Sequence, residues 1–211
     1  MKQFKRAAAL VLALCMIFAL SACSSKPKAS DAEKYVKACL DIICTGEYDH
    51  SVNLVDADEM GTAIDDAIDE ALDTLTQGAD VDEDIRQQFR DAMKDLFSKS
   101  RYTVGEATAV EDGFDVPVTI EPIDISERVT EEINNGLAAA MEENDLESMS
   151  EDELLALEMQ VIVDALKSAS ADPEYGESVE VTVRYEELED GVYGVSEADG
   201  EKLGAALFGS V

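Results

Sequence analysis

Tryptophan is absent from the chain and histidine occurs once, at His50. A histidine relay or an imidazole-ligated metal would therefore have only His50 and carboxylates to draw on. No Gly-x-Ser-x-Gly segment, glycine-rich phosphate loop or Cys-x-x-Cys pair occurs, so the serine-nucleophile, nucleotide and dithiol signatures are all missing. Together these gaps set the expectation of a protein that is not an enzyme, with no catalytic residues, no metal and no cofactor. Cations are also scarce, with 16 Lys and Arg against 48 Asp and Glu and a formal net charge of -32. Such a chain is repelled by nucleic-acid phosphates and by anionic headgroups, so no nucleic-acid partner is expected and charge alone would not hold it to a membrane. Long apolar runs are few as well: residues 7–20 carry 14 apolar residues without a charge, short of the roughly 20 that a spanning helix needs.

Cysteine usage narrows further. Cys15 lies inside that apolar run and Cys23 just behind it, leaving Cys39 and Cys44 for the body of the chain. On a helix, five residues of separation turn the two side chains about 140° apart with Cα atoms about 8 Å apart, beyond disulfide reach. They are expected to be buried thiols. Two thiols without a second pair also fall short of the four ligands of a structural zinc site.

The charge-free run is preceded by Lys2, Lys5 and Arg6 and followed by Leu20-Ser21-Ala22-Cys23, the layout of a secretory signal. The four-residue motif resembles the lipobox of bacterial lipoproteins, Leu-[Ala/Ser/Thr]-[Gly/Ala]-Cys, at every position. The resemblance implies cleavage between Ala22 and Cys23, lipid on the Cys23 thiol and a protein tethered to the cell membrane with its body facing the cell exterior. Cleavage would remove three cations and no acid, moving the charge from -32 to -35 over 189 residues. Two or more acyl chains anchor stably where one does not, and Lys26 and Lys28 in the spacer would sit beside the headgroups. The expected organisation is a signal peptide at 1–22, a lipidated cysteine and spacer at 23–29, and one acidic domain at 30–211.

Within that domain Ser30 and Glu33 have capping-box spacing, and Tyr35, Val36, Cys39, Leu40, Ile42 and Ile43 line one helix face until Gly46. Residues 48–55 fit a short helix. Met60, Ile64, Ala67, Ile68, Ala71 and Leu72 define a strongly amphipathic helix whose opposite side, Asp65, Asp66, Asp69, Glu70 and Asp73, reads as a solvated face. Phe89, Met93, Leu96 and Phe97 mark another. From Tyr102 the period changes to two, through an Asp112-Gly113 turn to Phe114, Val116, Val118 and Ile120, a hairpin in which Pro117 must meet an edge or a bulge. Helical spacing returns with Val129, Ile133, Leu137 and Met141, then after a second capping box at Ser150 and Glu153. A second hairpin runs from Val179 through Asp190-Gly191 to Val195, ahead of a short terminal helix. The fold expected is α+β: a four-stranded antiparallel sheet from two hairpins, packed on one face against several helices, with a helical insertion between the hairpins.

The stretches Tyr35-Val36 to Gly46-Glu47-Tyr48-Asp49, Val179-Glu180-Val181-Thr182-Val183 and Asp190-Gly191-Val192-Tyr193-Gly194-Val195 are similar to uncharacterised Gram-positive, mostly clostridial, lipoproteins. That resemblance implies a cystatin-like or nuclear-transport-factor-2-like cone and carries no catalytic residue. Three candidate sites stand out among the residues, the first being Asp56, Asp58 and Glu59, which read as a helix start ahead of Met60. Asp80, Asp82 and Asp84 alternate like the opening of a calcium loop, but Ile85 stands where glycine is needed, so a helix start fits better. His50 lies in a polar stretch and reads as a surface residue. The leading function is a noncatalytic, membrane-anchored surface lipoprotein displaying an acidic interaction domain to an unknown protein or envelope partner. The alternative is an extracytoplasmic small-ligand module with an apolar pocket between sheet and helices; an acidic calcium-binding surface is a third reading.

Overall fold

A computed structural model describes residues 27–47, 56–189 and 191–208. Among them are six α-helices and five strands: α1 (Ala29–Thr45), α2 (Ala57–Leu75), α3 (Glu83–Phe97), β1 (Arg101–Val104), β2 (Thr108–Val110), β3 (Gly113–Glu121), α4 (Ser126–Glu143), α5 (Glu151–Ala171), β4 (Val179–Glu189), β5 (Val192–Val195) and α6 (Glu197–Leu207). The stretch 48–55 lies outside the described residues.

The first three helices follow the apolar periodicity. α1 is closed by Gly46, which adopts φ 67° and donates its N–H to the Ile42 carbonyl, the left-handed cap that glycine takes without strain. Its start is not the expected capping box. The helix begins at Ala29, the Lys28 backbone N–H donates to Asp31 Oδ2 at 2.9 Å, and Glu33 instead reaches across to accept the Ala107 N–H at 2.8 Å. The second box forms as read: Ser150 N–H donates to Glu153 Oε2 and Glu153 N–H to Ser150 Oγ.

The two hairpins join into one antiparallel sheet through β3 and β4, in the order β1-β3-β4-β5, with β2 continuing the β1 edge beside β3. The count is five strands rather than four because the edge strand breaks between Val104 and Thr108. Pro117 explains the break. β3 is a central strand, so Pro117 sits at no sheet edge; its carbonyl accepts the Gly105 N–H at 2.8 Å, and since a strand residue's N and O point to the same side, its donorless nitrogen faces the gap. Gly113 answers a different need. The turn residues are Glu111 and Asp112, while Gly113 opens β3 opposite Glu186, and a Cβ there would lie 2.2 Å from the Tyr185 carbonyl oxygen.

One sheet face carries the cross-strand pairs Phe114 with Tyr185, Val116 with Val183 and Val118 with Val181. α1 lies over this face, and α2 and α3 pack on α1. α6 covers the β4 edge where β5 ends: Asp199 Oδ2 accepts the Arg184 N–H at 2.9 Å, satisfying a donor the ladder leaves open. α5 packs on α3, and α4 packs chiefly on α5. A continuous core joins Tyr35, Leu40, Ile68, Phe89, Phe97, Ile120, Val183, Leu203 and Phe208.

Candidate functional site

Ala22 and Cys23, the expected cleavage and lipidation residues, lie outside the described residues, as does His50. Pro27 is described, four positions beyond Cys23. Four residues span at most about 14 Å when extended, so chain length alone bounds the distance of Cys23 from Pro27. Pro27 borders an open hollow of about 800 Å³ with the turn ends of both hairpins, including Glu111, Asp112, Glu186, Glu187 and Tyr193.

The hairpins bring these acids together because both turns emerge at the same end of the β3–β4 pair. Glu187 holds the second turn: Oε1 accepts the Gly191 N–H at 2.7 Å and Oε2 the Tyr193 hydroxyl. Tyr193 stacks 6.0 Å from Tyr185, which stacks 5.0 Å from Tyr35, so an aromatic row runs from the core to the hollow. Burial raises all three phenols, with Asp31 adding to it at Tyr185, which reaches about 12, and Glu187 at Tyr193, so they stay neutral at physiological pH. The hollow therefore offers carboxylates and the neutral phenol of Tyr193, with no basic residue among its described lining.

The sequence-singled clusters do not converge on it. Asp82 is the N-cap of α3, accepting the Asp84 N–H at 2.8 Å, and Asp56 caps α2 by accepting from Asp58 and Glu59; each acts on its own helix end. Cys39 and Cys44 are buried on α1, unbridged to each other. Burial pushes the Cys44 thiol up to about 12, which keeps it protonated and a poor nucleophile. Between sheet and helices, where a ligand cup was the alternative, Tyr35, Val116, Val183 and Tyr185 are buried side chains that fill the space.

Sequence reading missed one electrostatic device. The acids of α2, read as a solvated face, pair with α3: Asp69 takes a two-pronged bond from Arg90 at 2.7 Å, Asp73 pairs with Arg86 at 2.9 Å and Asp65 with Lys94 at 2.5 Å. Asp65, Asp69 and Asp73 recur every four residues, as do Arg86, Arg90 and Lys94. That matched spacing on two antiparallel helices was the available signal.

Helices on one face of a curled antiparallel sheet place the chain in the α+β class. A solved structure of this architecture is that of a candidate lipoprotein, ycdA, from Bacillus subtilis, with a TM-score of 0.65 and 15% identity over 84% of this chain and 56% of that one. At this identity the likeness concerns the fold alone, and the chain spans little more than half of that neighbour. No family model and no curated protein matches the chain. No helix among the described residues is long and apolar enough to cross a membrane.

Proposed function

We propose that this is a noncatalytic surface lipoprotein, held by lipid on Cys23, that displays an acidic α+β domain of cystatin-like or nuclear-transport-factor-2-like shape to a protein or envelope partner outside the cell membrane. The observation that carries the reading is the lipobox Leu20-Ser21-Ala22-Cys23 at the correct distance behind a basic n-region and an apolar h-region. The position of Pro27 supports it. An anchor at Cys23 would leave the hairpin turns nearest the bilayer and the helices free to face outward. With Glu111, Asp112, Glu186 and Glu187 at that end, the body stands off an anionic leaflet and depends on its lipid.

Detergent phase partition of cells expressing the full chain tests the reading. Wild type enters the detergent phase, and Cys23→Ala moves to the aqueous phase or the medium. Equal partition of the two forms overturns the anchor. Turnover of an ester, peptide or glycan, abolished by one carboxylate or His50 substitution, overturns the noncatalytic part.

A further inference from the structure

We propose that the outer face of α4, centred on Leu137 and Met141, docks a cationic amphipathic helix. This deepens the interaction-domain reading above and rests on it, by naming the surface and the chemistry of its partner.

The apolar stripe of α4 leaves the core as the helix proceeds. Val129 is 3% exposed, Ile133 is half-buried against the core, Leu137 is 36% exposed and Met141 is 66% exposed. Leu137 and Met141 are the two exposed large apolar side chains among the described residues, and they stand one turn apart on a single helix. Scattered exposed apolar residues are ordinary, but adjacent ones on one stripe mark a contact face. A small rotation of α4 would not hide them. At Gly136 an added Cβ would lie 2.7 Å from Val161 Cγ1, so α4 and α5 are already at closest approach and turning α4 would break that seam.

Charge selects the occupant. Residues 126–164 hold twelve acids and a single cation, Arg128, and Arg128 is engaged by Asp172, donating to its carbonyl at 2.6 Å. Glu131 and Glu142 are exposed on α4, the helix that carries the stripe, and Glu158 is exposed on α5. On the other flank of α4, Gly136, Ala139 and Val161 floor a hollow of about 310 Å³ walled by Glu132, Glu143 and Asp164. A second copy of this face would bring like charges together, which is unfavourable. A helix with apolar anchors at i, i+4 and i+7 and lysines or arginines on its flanks matches both components, and Met141 can adapt to its anchors.

The test uses the mature lipidated chain in zwitterionic phosphatidylcholine nanodiscs, titrated with a fluorescent Leu/Lys amphipathic peptide of about 18 residues, five helical turns. Salt is held near about 150 mM to screen diffuse attraction. Saturable binding is expected. It should weaken about tenfold or more, or about 1.4 kcal/mol, for Leu137→Ser/Met141→Ser and for a scrambled peptide of the same composition. Glu131→Gln/Glu142→Gln, which leaves the apolar stripe intact, should also weaken it. Equal binding by the serine variant, or by the scrambled peptide, overturns the site and leaves only diffuse charge. The urea midpoint of each variant controls for folding. Failure of binding with Cys23 acylated overturns this inference alone, whereas an unmodified Cys23 overturns the lipoprotein reading whatever the peptide does.

Discussion

Arg90 is the residue on which the α2–α3 contact turns, because its planar fork takes both oxygens of Asp69 while one nitrogen also reaches Glu83 at 3.2 Å. Its side chain is 18% exposed and that of Asp69 26%, so screening is partial. Arg90→Ala should lower unfolding stability by about 1–2 kcal/mol, and Arg90→Lys, which keeps charge but loses the two-pronged geometry, by about half of that. Urea midpoints measure both. Ser170 and Asp95 give a pH-dependent counterpart. The Ser170 hydroxyl, then Lys99, holds the Asp95 carboxyl below its usual range. A carboxylate depressed in the folded state contributes stability that is present above its unfolded value, near about 3.9, and lost as pH falls through the folded one. Ser170→Ala should therefore be less stable than wild type at neutral pH, and the gap should narrow below about pH 4. A gap that widens on acidification contradicts the assignment.

At the scale of elements, the helices and hairpins were legible because burial follows period: Met60, Ile64, Ala67, Ile68, Ala71 and Leu72 are buried on α2, and Val116, Val118 and Ile120 on β3. What was illegible depends on neighbours far along the chain. Glu33 has the spacing of a capping residue, yet its carboxylate goes to Ala107, 74 positions away. Gly113 has the look of a turn glycine, yet it is required by the Tyr185 carbonyl of β4. Leu137 and Met141 continue a proper helical stripe, and only the absence of a facing element among the described residues shows where the core stops. Two consequences are measurable. Gly113→Ala should destabilise by about 1–3 kcal/mol through overpacking at β4, seen as a lowered urea midpoint. Leu137→Ser/Met141→Ser should stay within about 0.5 kcal/mol per site of wild type, whereas Leu166→Ala, truncating a buried residue of the neighbouring α5, should lower stability by about 2–5 kcal/mol. Comparable losses for the exposed pair and Leu166 would show that α4 is covered by something of this chain.

At the scale of the molecule, the excess of carboxylates dominates. The ladder between α2 and α3 pairs three of them with cations, but a full chain at -32, counted with those cations, remains self-repelling. Its melting temperature should rise by about 3–6 °C between about 10 mM and about 500 mM sodium chloride, since screening relieves repulsion more than it weakens partly buried pairs. A fall over that range would mean that the ion pairs outweigh the repulsion. The same excess is why the proposed attachment must be covalent lipid: the hairpin-turn end beside Pro27 presents acids, and only Lys26 and Lys28 of the spacer favour an anionic leaflet. Everything proposed about location and partner follows from that attachment. Mass spectrometry of the amino-terminal peptide from native membranes tests it most directly. The account predicts a chain that begins at Cys23 with a diacylglyceryl thioether on its sulfur; an unmodified thiol at Cys23, or an uncleaved leader, would contradict it.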